Sequence, residues 1–262
     1  MLSDPRSERV KGIARLNQKD ARYETGLCLL EGFQGLKELA PHQDLIAEVF
    51  ATEAAMESRP ELFAELPVEV TLVSDRVMDR IADTRTPQGV VCVVYQLDVD
   101  LELIINDKPK LVALLDQVRD PGNAGTILRA ADAAGADGIV FSKESVDLYH
   151  PTLVRSTTGS LFHLPTVIEA DSANALADLK AAGMQVFAAA GGGKPITELG
   201  SELAKPTVWI FGNEAHGISS DLMDLADQVV GLPIYGSAES LNLATAASVC
   251  LYQSAFAQNL SR

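Results

Sequence analysis

At 262 residues, with 47% apolar and 22% charged side chains, the chain is long enough for one large or two ordinary domains and too apolar to be disordered. No run of about eighteen apolar residues occurs, which excludes a membrane-spanning helix, and residues 1–10 lack the apolar core of a secretory signal, so a cytoplasmic protein is expected. A net charge of −15 argues against a broadly basic, polyanion-binding body.

The pattern predicts a first helix over residues 6–22. Within it Lys11, Arg15, Lys19 and Arg22 recur at spacings that align them on one helical face. That stripe is a local phosphate contact on an acidic chain or simply a solvated face. A buried strand follows at 27–30, then Glu31-Gly32 and a helix over about 33–39. Residues 46–51 and 68–73 read as strands, the second with period-two alternation. Ser74 stands where an N-cap would start a helix over 75–82, and a turn at Pro87-Gln88-Gly89 leads into a strand at 90–95.

Residues 97–110, charged, containing Pro109 and lacking a strong period, form the boundary between a domain at 1–105 and a second at 106–262. From Leu111 the chain changes to strand–loop–helix repeats, with strands at 111–115, 138–141, 186–190, 208–211 and 228–231 and a helix at 124–134. Continuously apolar strands alternating with helices imply an α/β fold with a parallel sheet covered on both faces. An apolar helix over 249–257 ties the end of the chain to the core. Cys28, Cys92 and Cys250 lie far apart in apolar runs, as small core residues of a reduced protein, and no metal-ligand spacing is present.

Three segments share one build: an apolar strand end, a loop of small residues and a helix start. The first carries Asn123, Gly125 and Arg129; the second Gly212 and Glu214, followed by Gly217; the third Leu232, Pro233, Gly236, Ser237, Ser240, Leu241 and Asn242. Small residues let backbone amides approach a ligand, and a helix start leaves N–H groups unpaired. Taken singly, each is equally an ordinary strand end or cap. Ser240 in particular reads as well as the N-cap of the last helix.

In this order and spacing the three segments resemble the SpoU (TrmH-like) family of RNA ribose 2′-O-methyltransferases of the SPOUT superfamily. The first half resembles the small L30e-like α/β RNA-binding domain that precedes the catalytic domain in many members, at Lys11, Lys19, Arg22, Gly26, Glu31-Gly32 and Pro87-Gln88-Gly89. It departs from that pattern at Gln34, where members often carry arginine. Arg155 and Gly159 resemble the family's Arg-x-x-x-Gly segment.

The resemblance implies a C-terminal trefoil knot whose loops form an S-adenosylmethionine pocket, a homodimer built around it, and no metal. It implies that Gly212, Leu232, Ile234 and Leu241 bind the cofactor, with Gly212 leaving room where the ligand passes, and that Arg129, Asn123, Glu214, Asn242 and Ser240 are catalytic. Lys11, Lys19, Arg22 and Arg155 are expected on RNA, Arg155 alternatively on the partner subunit. A guanidinium stays protonated, so Arg129 is expected to hold the RNA phosphate and orient the 2′-hydroxyl rather than act as base. The expected substrate is structured RNA, ribosomal before transfer RNA.

A non-catalytic RNA-binding or ribosome-assembly protein on the same fold predicts damaged motifs, and these are intact. A dinucleotide-binding oxidoreductase predicts Gly-x-Gly-x-x-Gly after the first strand, which Asp120-Pro121-Gly122-Asn123-Ala124-Gly125 does not supply. Gly191-Gly192-Gly193-Lys194 lacks the spacing of a phosphate loop.

Overall fold

The computed structural model describes residues 1–64 and 66–260, and the chain forms two compact units. The first comprises residues 1–97 together with 149–162; the second comprises 98–148 and 163–262.

The first unit holds a four-stranded mixed sheet of β1 (Leu27–Glu31), β2 (Ile46–Ala51), β3 (Val70–Leu72) and β4 (Val90–Tyr95) in the order β1-β4-β2-β3. β4 runs antiparallel to β1 and β2, while β3 joins β2 in parallel. Its run Val90-Val91-Cys92-Val93-Val94 is wholly buried, which a central strand covered on both faces requires. β3 is only three residues long, shorter than the alternation at 68–73 suggests.

The helix expected over 6–22 is two helices, α1 (Glu8–Arg15) and α2 (Lys19–Thr25). Leu16 turns inward to the core formed with Val10, Ile13, Phe50 and Val77, and the Asn17 amide donates to the Ile81 carbonyl at 3.0 Å. Burial of Leu16 outweighs the continued helical period, so the four cations do not share one helical face. Helices α3 (Phe33–Leu39), α4 (Glu53–Ser58) and α5 (Asp75–Ile81) complete the residues before 97. Ser74 does occupy the position before α5, but its buried hydroxyl has no hydrogen-bond partner among the described residues and makes no capping bond.

In the second unit the stretch read as a boundary contains a short helix, α6 (Leu101–Asn106), which buries Ile104. The strands are β5 (Leu111–Leu115), β6 (Gly138–Ser142), β7 (Thr166–Ala170), β8 (Gln185–Pro195), β9 (Thr207–Phe211) and β10 (Gln228–Gly231). They form one parallel sheet in the order β10-β8-β9-β5-β6-β7. Helices α7 (Pro121–Ala133), α9 (Ser172–Ala181), α10 (Ser220–Leu225) and α11 (Leu243–Leu260) belong to this unit, while α8 (Pro151–Thr157) belongs to the first. β7 and α9 were not expected from the sequence: β7 alternates weakly and lies at the sheet edge.

From β5 the chain progresses one way through β6 and β7, and β9 lies on its other side. The order therefore reverses between β5 and β9. In a parallel α/β sheet, the crevice beyond the carboxyl ends of two such strands is where ligands bind.

Candidate active site

The loops leaving β5 and β9 are stitched together at that switch point. Gln117, in the left-handed region at φ 53°, donates its N–H to the Ser142 hydroxyl at 2.8 Å, and its carbonyl accepts from the Asn213 amide at 2.8 Å. The Asn213 side-chain oxygen takes the Ala215 and His216 N–H groups, and its backbone pairs both ways with Gly217. This closes the 212–217 loop tightly. A Cβ on Gly212 would lie 2.3 Å from the Gly217 carbonyl carbon. Gly212 has no room for a side chain, because the loop folds back onto it.

Glu214 is held by donors from the first segment. Its carboxylate accepts the Arg119 N–H at 3.3 Å, the Asp120 N–H at 3.1 Å and the Asn123 amide at 3.3 Å. Partial burial raises its pKa, but these N–H groups outweigh burial and hold the carboxyl below its usual range. Asp120 caps α7 by accepting the Asn123 N–H at 2.6 Å, with Pro121 in the first turn.

The third segment closes the set. The Asn242 amide donates to the Asn123 side-chain oxygen at 2.9 Å, and its own oxygen accepts from Ala244 and Thr245 at the start of α11. The last helix is thus capped by Asn242, not Ser240. α11 is fixed to the sheet by the buried Trp209 indole, which donates to Ser254 at 2.9 Å. Beneath the loops, burial pushes the Asp116 carboxyl up against the lowering effect of the Ser172 hydroxyl and the Ser219 backbone.

A cavity of about 440 Å³ opens beside these side chains. Leu232, Ile234, Leu241 and Val230 give it apolar walls; Ala189, Ala190, Gly191 and Ala246 are its small residues; buried Cys250 lies among them, its thiol pushed up to about 12 by burial. Asn123, Glu214, Ser240 and Asn242 also line it, and Gly212 does not. The Ala189–Gly191 lining was not expected. It exists because β10 pairs with β8 at Ala188 and again at Lys194, leaving 189–193 out of register. The run of alanines and glycines was the sequence signal.

Arg129 is exposed, about 9 Å along the α7 axis from Asn123. It does not line the cavity, and it makes no hydrogen bond or ion pair among the described residues.

The expected RNA contacts all lie in the first unit. Lys11 pairs with Glu8 at 2.7 Å, and Lys19 lies 5.0 Å from the Tyr23 ring centroid. Arg155 pairs with Asp83 at 2.8 Å and also donates to Thr152. Arg22 is 2% exposed and donates to the Leu16 carbonyl, so it terminates α1 from inside and presents no cation to a phosphate. A second cavity, of about 280 Å³, brings together Glu31, Gly32, Gln34, Gln88, Arg155 and Gly159, which are distant in sequence. Among the described residues no cluster of histidine, cysteine or carboxylate side chains is arranged to hold a metal, and no helix is long and apolar enough to cross a membrane.

Comparison with known proteins agrees with this geometry. The sequence profile of the SpoU rRNA Methylase family matches residues 110–252, and that of the MRM3-like substrate binding domain matches 7–92. The 23S rRNA (guanosine(2553)-2′-O)-methyltransferase RlmP of Bacillus subtilis is 30% identical over 252 residues, 96% of this chain and 97% of that protein. The SpoU methyltransferase AviRb from Streptomyces viridochromogenes, solved with the cofactor AdoMet, aligns with a TM-score of 0.86 at 28% identity, covering 98% of this chain and 99% of that one. An AdoMet-bound rRNA methyltransferase from Sinorhizobium meliloti aligns at 0.84 and 32% identity, covering 97% and 96%.

Proposed function

The chain belongs to the SpoU rRNA methylase family, and we propose that it transfers the methyl group of S-adenosylmethionine to a ribose 2′-hydroxyl of ribosomal RNA. One observation carries this reading: Asn123 is hydrogen-bonded to both Glu214 and Asn242, joining three separate segments at the wall of a cavity of cofactor size. The residues present fit S-adenosylmethionine. Apolar walls suit adenine, and alanines and a glycine at 189–191 leave backbone groups accessible to its polar edge. When bound, the cofactor supplies a methyl group already activated by a positively charged sulfur.

The chain's own residues have the task of orientation, worth up to about 7–11 kcal/mol where groups are well aligned. Asn123 and Asn242 fix one another, and Glu214 stays ionised against the N–H groups of Arg119 and Asp120. Ser240, on the cavity wall, is available to a ligand hydroxyl. Arg129, exposed and unpaired, grips the RNA phosphate and sets the 2′-oxygen, without giving up its own proton.

The first unit contributes RNA contacts through Lys11 and Lys19, and Arg155 does so by exchanging Asp83 for a phosphate. A homodimer belongs to the same reading, supported by Val249, Phe256 and Leu260, which α11 leaves exposed. The trefoil knot belongs to the same reading through family membership alone. The cytoplasm is the compartment consistent with ribosomal RNA and three buried cysteines that form no disulfide among the described residues.

Transfer of label from S-adenosylmethionine to purified 23S ribosomal RNA, with transfer RNA alongside and nuclease mapping of the product, tests the reading. A 2′-O-methylated nucleotide in ribosomal RNA is expected. Label in transfer RNA alone would overturn the substrate, and neither transfer nor cofactor binding would overturn the activity.

A further inference from the structure

Among the described residues, those lining the cavity include two carboxylates, Glu214 and Glu239, and no lysine, arginine or histidine. The two carboxylates differ. Glu214 is saturated by N–H donors, whereas Glu239, exposed in the loop before α11, makes no hydrogen bond or ion pair among the described residues. Some exposed carboxylates elsewhere have cationic partners, as Glu8 has Lys11, Glu24 has Arg15 and Glu202 has Lys205, but none of those lines this cavity. Glu239 is an uncompensated negative charge at a binding cavity, and a charge left alone there favours a cationic ligand.

Methyl transfer changes the charge of the ligand in this cavity. The 2′-oxygen forms a bond to the methyl carbon as the carbon–sulfur bond breaks. The bonding pair stays on sulfur, and the hydroxyl proton leaves to solvent or phosphate. A sulfonium becomes a neutral thioether, while the adenosine, ammonium and carboxylate of the ligand are unaltered. Resting on the reading of this cavity as the cofactor site, we infer that Glu239 is a specificity-determining residue that distinguishes the methylated cofactor from its demethylated product by charge. The apolar walls and the Asn123–Asn242 pair meet both ligands alike, so they set affinity without discrimination. Glu239 weights the balance towards the cation and thereby favours replacement of spent product by fresh cofactor.

Isothermal titration of the full chain with S-adenosylmethionine and, separately, S-adenosylhomocysteine tests this without catalysis. Glu239→Gln is expected to weaken S-adenosylmethionine by about 3- to 10-fold, the effect of one partly screened charge, and to leave S-adenosylhomocysteine within about 2-fold. Raising salt should narrow the gap in the wild type and leave the variant's ratio nearly unchanged. Retained binding of the homocysteine compound doubles as proof that the variant is folded. Equal weakening of both ligands, or no change in either, overturns the role of Glu239 while leaving the cofactor site standing. Failure of the wild type to bind either ligand overturns the cofactor reading beneath it.

Discussion

The charged side chains singled out as functional are held differently in the two units. In the first, several of the cations have partners within the unit: Arg9 with Glu48, Lys11 with Glu8, Arg15 with Glu24 and Arg155 with Asp83, while Arg22 is buried against a carbonyl. In the second, Arg119, Lys143, Lys180 and Lys205 are paired as well, but Arg129 and Glu239 have no partner among the described residues, and Glu214 takes only N–H donors. An unpartnered charge near a cavity marks where a ligand supplies the missing group; a paired one marks structure or a contact that must be exchanged. Exposed pairs are worth only about 0–1 kcal/mol, so exchange with phosphate is cheap, and RNA affinity from the first unit should be salt-sensitive rather than absent.

The contrast is tested most severely at Arg129. Arg129→Ala should lower kcat at least about 100-fold, comparable to loss of one preorganised charge-stabilising group, while cofactor affinity stays within a few-fold because the side chain is outside the cavity. Near-normal turnover would remove the distinction between unpaired and paired cations.

Gly212→Ala comes next. With a Cβ 2.3 Å from backbone, the 212–217 loop must move, at a cost of about 2–4 kcal/mol, seen as a lower Tm together with weaker cofactor binding. An unchanged Tm would mean that the tight closure of this loop is not required.

Glu214→Gln probes the same contrast through pH. The folded-state pKa of Glu214 lies below the ordinary 4.5, so its stabilisation is present above about that pH and is lost as pH falls through the lower folded value. The Tm difference between wild type and variant should therefore be full at pH 7, shrink below 4.5 and approach zero in stronger acid. A difference that does not vary with pH would show that the carboxylate's charge is not what the Arg119 and Asp120 N–H groups hold.

The smallest effect is expected at the first unit. Lys11→Ala with Lys19→Ala should weaken ribosomal RNA binding several-fold and reduce the slope of log K against log salt by about 1 for each phosphate no longer neutralised. The same slope in the variant would move the RNA-binding cations elsewhere in the unit.

How far the sequence could be read follows the same division. Continuous apolar runs made the strands of the second unit legible: β5, β9 and β10 fall almost where their patterns end. β7, at the edge with weak alternation, left no comparable trace, and α6 is a six-residue helix inside a charged stretch. The first helix misled because Lys11, Arg15, Lys19 and Arg22 continue a helical period through a point where Leu16 must turn into the core.

Residue order alone was enough for the α/β class and the three loop segments, because small residues and helix starts are local chemistry, while the family resemblance implied that Asn123, Glu214, Ser240, Leu241 and Asn242 share one site. It took the folded chain to establish that Asn242 rather than Ser240 caps α11, that Gly212 serves loop closure, that Ala189–Gly191 join the cavity, and that residues 149–162 belong with the first unit. Each of those depends on which distant backbone arrives within a hydrogen bond or a van der Waals radius, and strand order sets that, not spacing along the chain.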